Sequence, residues 1–242
     1  MTVVAVGAIG SLLGLLAHDL AAQALRDEPL RPFAGTCPRC GHRRGWASLT
    51  CDECGRSVRR EILLALVAGA VAVGFYNTIG LGFELVPYGL FLLLSSALIM
   101  TDLDAFRLVD RLNIPGTFVL VATLAVAALV EGASSALFRG LGGAAVYFGG
   151  ASLVFLAVRG RGFGAGDVKL AVQLGLFTAY LSWGALGWSV FITAALGGVI
   201  ALAMVAFGSA GLKSELPYGP PMILGAWAAI VFVGVGAIPV PS

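Results

Sequence analysis

Charge is what this sequence has least of. Of its 242 residues 12% are charged and 59% apolar, against roughly 25% and 45 to 50% in ordinary soluble domains. So few polar side chains cannot cover the surface of a water-soluble globule, and the composition also excludes a disordered tail and a nucleic-acid module. The net charge of +2 names no acidic partner. Cysteine is scarce too, and four residues are too few for a disulfide scaffold. The first apolar stretch lacks the basic flank and small-residue cleavage site of a secretory signal, so it is expected to be retained. No Gly-Lys-Ser or Gly-Lys-Thr follows the one glycine-rich turn that precedes a helix, which disfavours phosphate binding.

What is present is a series of long apolar runs. A membrane-crossing helix needs about 20 mostly apolar residues, and eight stretches qualify or come close: 3–20, 62–80, 86–101, 114–131, 137–157, 168–182, 185–207 and 221–239. The predicted fold is all-α, a polytopic transmembrane bundle of about eight helices in contact with membrane lipid. The break at Ser182 to Gly184 leaves seven spans with one kinked helix as the competing count. Basic residues mark cytoplasmic loops. With the N-terminus outside, eight spans place fourteen of the fifteen Lys and Arg residues on the cytoplasmic side, and Arg139 alone falls outside. The chain divides into a first helix (1–20), a cytoplasmic loop (21–61) and a seven-helix membrane domain (62–242).

The cytoplasmic loop carries Cys37-Pro38-Arg39-Cys40-Gly41 and, with ten residues between Cys40 and Cys51, Cys51-Asp52-Glu53-Cys54-Gly55. Each Cys-x-x-Cys-Gly has the form of a zinc knuckle, and four thiolates fill a closed, structural tetrahedral site whose metal would supply the folding free energy of a short polar loop. Cys37, Cys40, Cys51 and Cys54 are therefore expected to bind structural zinc; free thiols or a redox pair are the alternatives. His42 is surplus to such a site.

Acids in or at the rim of a span cost roughly 2.5 to 3.5 kcal/mol each near its centre, so each needs an account. Asp19, Asp102, Asp104, Asp110 and Asp167, with Glu84 and Glu131 less deep, are the candidates. Asp102 closes the third span and Asp167 opens the sixth in Gly164-Ala165-Gly166-Asp167-Val168-Lys169. The topology brings these two, 65 positions apart, to the same end of their helices. Two acids able to share a proton form a dyad that activates water against a peptide carbonyl. Gly164 and Gly166 remove bulk where an extended substrate backbone would approach. Taken singly, Asp167 reads as a helix-start acid and Asp102 as an interfacial residue. Asp104 and Asp110 are expected to solvate their loop or pair with Arg107 and Arg111, and His18 and Asp19 to sit at the interface.

Three stretches together resemble the prepilin peptidases, or type IV leader peptidases, a family of Gly-x-Gly-Asp intramembrane aspartyl proteases. They are Asp102-Leu103-Asp104 running through Asp110 to Pro115, Gly164-Ala165-Gly166-Asp167-Val168-Lys169-Leu170, and Pro217-Tyr218-Gly219-Pro220-Pro221 before the last span. The two Cys-x-x-Cys pairs after the first span extend the likeness over essentially the whole chain. The resemblance implies that Asp102 and Asp167 are catalytic, with Gly164, Gly166 and Lys169 in the active-site loop. It implies a prepilin or pseudopilin substrate with a short basic leader, and a bacterial cytoplasmic (inner) membrane location with the active site facing the cytoplasm. Many members then methylate the new N-terminus with S-adenosylmethionine. Gly10-Ser11-Leu12-Leu13-Gly14 is similar to the family's start, but the asparagine and Arg-Leu-Pro usual near it are absent, as is a Tyr-Pro run after the second cysteine pair. Methyl transfer is thus left open. The competing function is a non-enzymatic membrane scaffold or proton-coupled transporter with a zinc-ribbon docking loop, for which acids near the midplane and inverted repeats would be expected.

Overall fold

The computed structural model describes residues 1–30, 40–42, 53, 59–159, 163–206 and 218–236. Among them the chain is all-helical: α1 (Thr2–Leu25), α2 (Arg59–Ile79), α3 (Leu85–Ala105), α4 (Asp110–Val130), α5 (Ser134–Val158), α6 (Ala165–Leu181), α7 (Trp183–Ala206) and α8 (Gly219–Gly234). Each apolar stretch read from the sequence corresponds to one helix, although 221–239 runs beyond the end of α8 at Gly234. The break between the sixth and seventh is real. Ser182 is extended (φ −167°, ψ 160°), and its Oγ accepts the Ala185 N–H at 3.0 Å, capping the start of α7.

Length separates two helices from the rest. Helices α1 to α5 and α7 are long and apolar enough to cross a membrane, whereas α6 has 17 residues and α8 has 16. The described residues thus hold the expected eight helices, six of them long and apolar enough to cross a membrane and two shorter. Helix α6 packs against α4, α5, α7 and α8, and Gln173 through Tyr180 form an unbroken buried run. A helix screened by protein needs no continuous apolar surface, which explains how α6 carries Asp167, Gln173 and Thr178.

Bare backbone brings the helices together, because apolar side chains gain little by leaving lipid for protein. A Cβ at Gly10 would lie 2.4 Å from Ala72 Cβ, and one at Gly14 would lie 2.8 Å from Ala65 Cα, so Gly10-Ser11-Leu12-Leu13-Gly14 is the seam between α1 and α2. A Cβ at Gly175 would lie 2.5 Å from the Gly143 carbonyl, seating α5 on α6. Between the pairs, the Phe91 and Phe177 rings stack at 4.5 Å and the Tyr88 hydroxyl donates to the Phe177 carbonyl at 2.9 Å. This cluster ties α3 to α6, the two helices that carry the acids.

Candidate active site

Asp102 occupies the last turn of α3 and is 4% exposed. The helix stops because Phe106 turns left-handed (φ 51°), its N–H returning to the Asp102 carbonyl at 2.9 Å. The carboxylate Oδ2 accepts the Gly219 N–H at 3.1 Å. That donor lies in the first turn of α8, where amides have no partner within their own helix. A Cβ at residue 219 would stand 2.9 Å from the same oxygen, so the backbone reaches Asp102 only as glycine.

Asp167 lies in the first turn of α6 and is 6% exposed. Its Oδ2 accepts the Gly164 N–H at 2.8 Å, the carboxylate half of a capping box. The two carboxylates are near enough to feel each other's charge. Among the described residues each accepts one hydrogen bond, leaving its other oxygen open.

Leu108 joins the two surroundings. A Cβ on Gly166 would lie 2.9 Å from Leu108 Cβ, and one on Gly219 would lie 3.3 Å from Leu108 Cδ2. Gly166 therefore makes room for Leu108. Gly164 has the open side, its nearest neighbour being Asp167 itself at 3.4 Å. Lys169 binds both carboxylate oxygens of Asp110 at 2.7 Å, clasping the start of α6 to the start of α4. Asp110 thus pairs with Lys169, not with Arg107 or Arg111, because α4 begins at Asp110 and turns that side chain toward α6. Asp104 meets Arg60 of α2 at 3.6 Å. Beneath Lys169, Gln173 donates to Asn113 Oδ1 at 2.8 Å, and Asn113 donates to the Gly166 carbonyl at 3.4 Å. The sequence reading missed this brace; its signal was two amides within apolar helices.

His18 also departs from expectation. It is buried, with Nε2 3.3 Å from Glu61 Oε1 between α1 and α2, because α2 starts early enough to bring Glu61 into the helix. Glu84 and Glu131 lie at the opposite end: Glu84 accepts the Tyr180 hydroxyl, and Glu131 accepts the Phe83 N–H at 2.9 Å. Of the cysteines, Cys40 is exposed; Cys37, Cys51 and Cys54 lie outside the described residues. Among the described residues no three His, Cys, Asp or Glu side chains converge as a metal site.

Two buried carboxylates with open oxygens can hold a water between a base and an acid and direct it at a carbonyl carbon. Residues 89–208 match the Type IV leader peptidase family. The chain is 28% identical to the prepilin leader peptidase/N-methyltransferase of Pseudomonas aeruginosa over 93% of its own length and 87% of that protein's. It is 31% identical to the protein so named in Burkholderia pseudomallei, over 81% of this chain and 66% of the relative. The one so named in Myxococcus xanthus is 29% identical over 86% of this chain and 64% of the relative. No solved structure matches the chain.

Proposed function

This chain belongs to the type IV leader peptidase family, and we propose that it is an intramembrane aspartyl endopeptidase that removes the leader of type IV prepilins or pseudopilins. The observation that carries the reading is the pairing of Asp102 and Asp167. They come from helices that run in opposite directions, yet both are buried at one end of the bundle, each fixed by a glycine amide.

In this reading the ionised acid takes a proton from water, and the water oxygen attacks the scissile carbonyl carbon. The protonated partner donates to the carbonyl oxygen. The tetrahedral intermediate then collapses, breaking the C–N bond as the leaving amine gains a proton. Gly164 leaves one side of Asp167 free for an extended peptide, while Leu108, Asn113 and Lys169 hold the two helix starts in place. The distribution of basic residues supports a cytoplasmic active site and an inner-membrane location. The four cysteines form a structural zinc loop outside the reaction, expected to give one zinc per chain by elemental analysis. Hydrolysis uses both acids without a methyl donor, and methyl transfer from S-adenosylmethionine would need other residues of the chain.

The test is cleavage of a matching prepilin in proteoliposomes. Asp102→Asn and Asp167→Asn should each abolish cleavage while the protein remains inserted. Normal processing by either variant would falsify the pair.

A further inference from the structure

A cavity of about 360 Å³ lies between α5, α7 and α8 and is distinct from the two acids. Its size is that of a ligand pocket. Val146 and Val154 on α5 and Val190 on α7 form its lips, and all three are exposed on faces that lipid would cover. At the acid-bearing end it is bounded by Phe163 and Tyr218, whose rings meet edge to face at 5.2 Å. The Tyr218 ring fits because Gly197 of α7 has no side chain; a Cβ there would lie 2.7 Å from it.

The inner wall is less apolar than the lips. Tyr147, 8% exposed, points its hydroxyl at those of Ser189 and Thr193 without completing a hydrogen bond among the described residues. An unsatisfied buried hydroxyl is costly, and a peptide backbone or polar side chain entering the cavity would satisfy it. Phe163 and Tyr218 directly precede Gly164 and Gly219, whose amides hold the two acids, so the acid-side wall of the cavity adjoins the proposed catalytic pair. Gly150 on α5 supplies width, with nothing within 4 Å of a Cβ built on it.

Resting on the peptidase reading, we propose that this cavity receives the first turns of the substrate's own membrane helix, the segment on the carboxyl side of the scissile bond. The cavity's lips are on a face that lipid would cover, and it reaches from Phe163 and Tyr218, beside the glycines that hold the acids, to Leu186 near the start of α7. A segment stripped off at the rim cannot fill it; the part that stays in the bilayer can. A lipid acyl chain is the competing occupant.

The test compares Gly150→Leu with Gly149→Leu in proteoliposomes containing a membrane-embedded prepilin. Both positions have open space and gain helix propensity, but only residue 150 lines the cavity. Gly150→Leu should raise KM at least about ten-fold, the scale on which a pocket discriminates by a few methylenes, while Gly149→Leu stays close to wild type. Independently, a photocrosslinking residue replacing Val190 in the Asp167→Asn protein should capture the prepilin just beyond its cleavage site; the same residue at Val126, on the far side, should not. Wild-type KM in Gly150→Leu, or capture of lipid alone at Val190, overturns the cavity assignment and leaves the peptidase standing. Failure of the wild-type protein to cleave overturns the peptidase reading and this one with it.

Discussion

The two ends of the bundle treat polar groups in opposite ways. At the end away from the acids, Arg139 of α5 donates to the carbonyls of Ala179 at 2.8 Å and Leu181 at 3.0 Å, and to that of Tyr180, the last acceptors of α6. Beside it, Tyr180 binds Glu84 and Glu131 binds a backbone amide. Charges there are spent on a hydroxyl and on backbone groups, which is how a structural cluster remains stable in a low-dielectric setting. At the acid-bearing end, Asp102 and Asp167 each accept a single amide proton and keep the rest of their capacity. Glu84 and Glu131 also accept one hydrogen bond each, so what sets the ends apart is that Arg139 spends its donors on three carbonyls of one helix end, and that Asp102 and Asp167 are buried where Glu84 is half-buried and Glu131 exposed.

Substitutions at the two ends should therefore separate activity from stability. The largest effect is expected from Asp102→Asn and Asp167→Asn, a fall in kcat of at least about a thousand-fold, within the range for loss of a general acid or base, with thermal unfolding unchanged. Next is Gly219→Ala, whose methyl would press on Asp102 Oδ2; kcat should drop about ten- to a hundred-fold, as for a displacement near 1 Å. At the other end, Arg139→Ala should cost about 2 to 3 kcal/mol of stability by unfolding in bicelles, the scale of losing charged hydrogen bonds at a helix terminus, with kcat retained in the folded fraction. The smallest effect belongs to Lys169→Ala. Its pair with Asp110 is largely exposed, so unfolding should change by about 0 to 1 kcal/mol and the change should shrink with added salt. If Arg139→Ala removed activity while leaving stability intact, the contrast between the ends would collapse.

Much of this was legible in the sequence because membrane helices announce themselves by length and composition, and because acids in such helices are costly enough to stand out. Asp102 and Asp167 were found that way, and the break at Ser182 was placed within two residues. Arg139, the exception to the charge asymmetry, became intelligible only once the C-terminus of α6 was seen beside it. Partnership was the hidden part. Nothing in a linear reading says that Gly166 faces Leu108, that Asp110 chooses Lys169, or that His18 is buried against Glu61, since these depend on helix rotation and on where a helix starts. The enclosure of α6 by its neighbours was hidden for a related reason, since an apolar pattern does not say whether lipid or protein covers a helix.

The amide of Gly219 gives the final helix a bearing on chemistry that its lack of acids conceals. A chain ending before residue 219 would keep both aspartates and all six long helices, yet Asp102 would lose its one anchor and swing toward whatever solvent or lipid reached it. Any tug on α8, from a neighbour or from cargo, would reach α3 through that bond and through the Trp227 indole N–H on Ser95 Oγ at 3.1 Å, making α8 a rein on the acid.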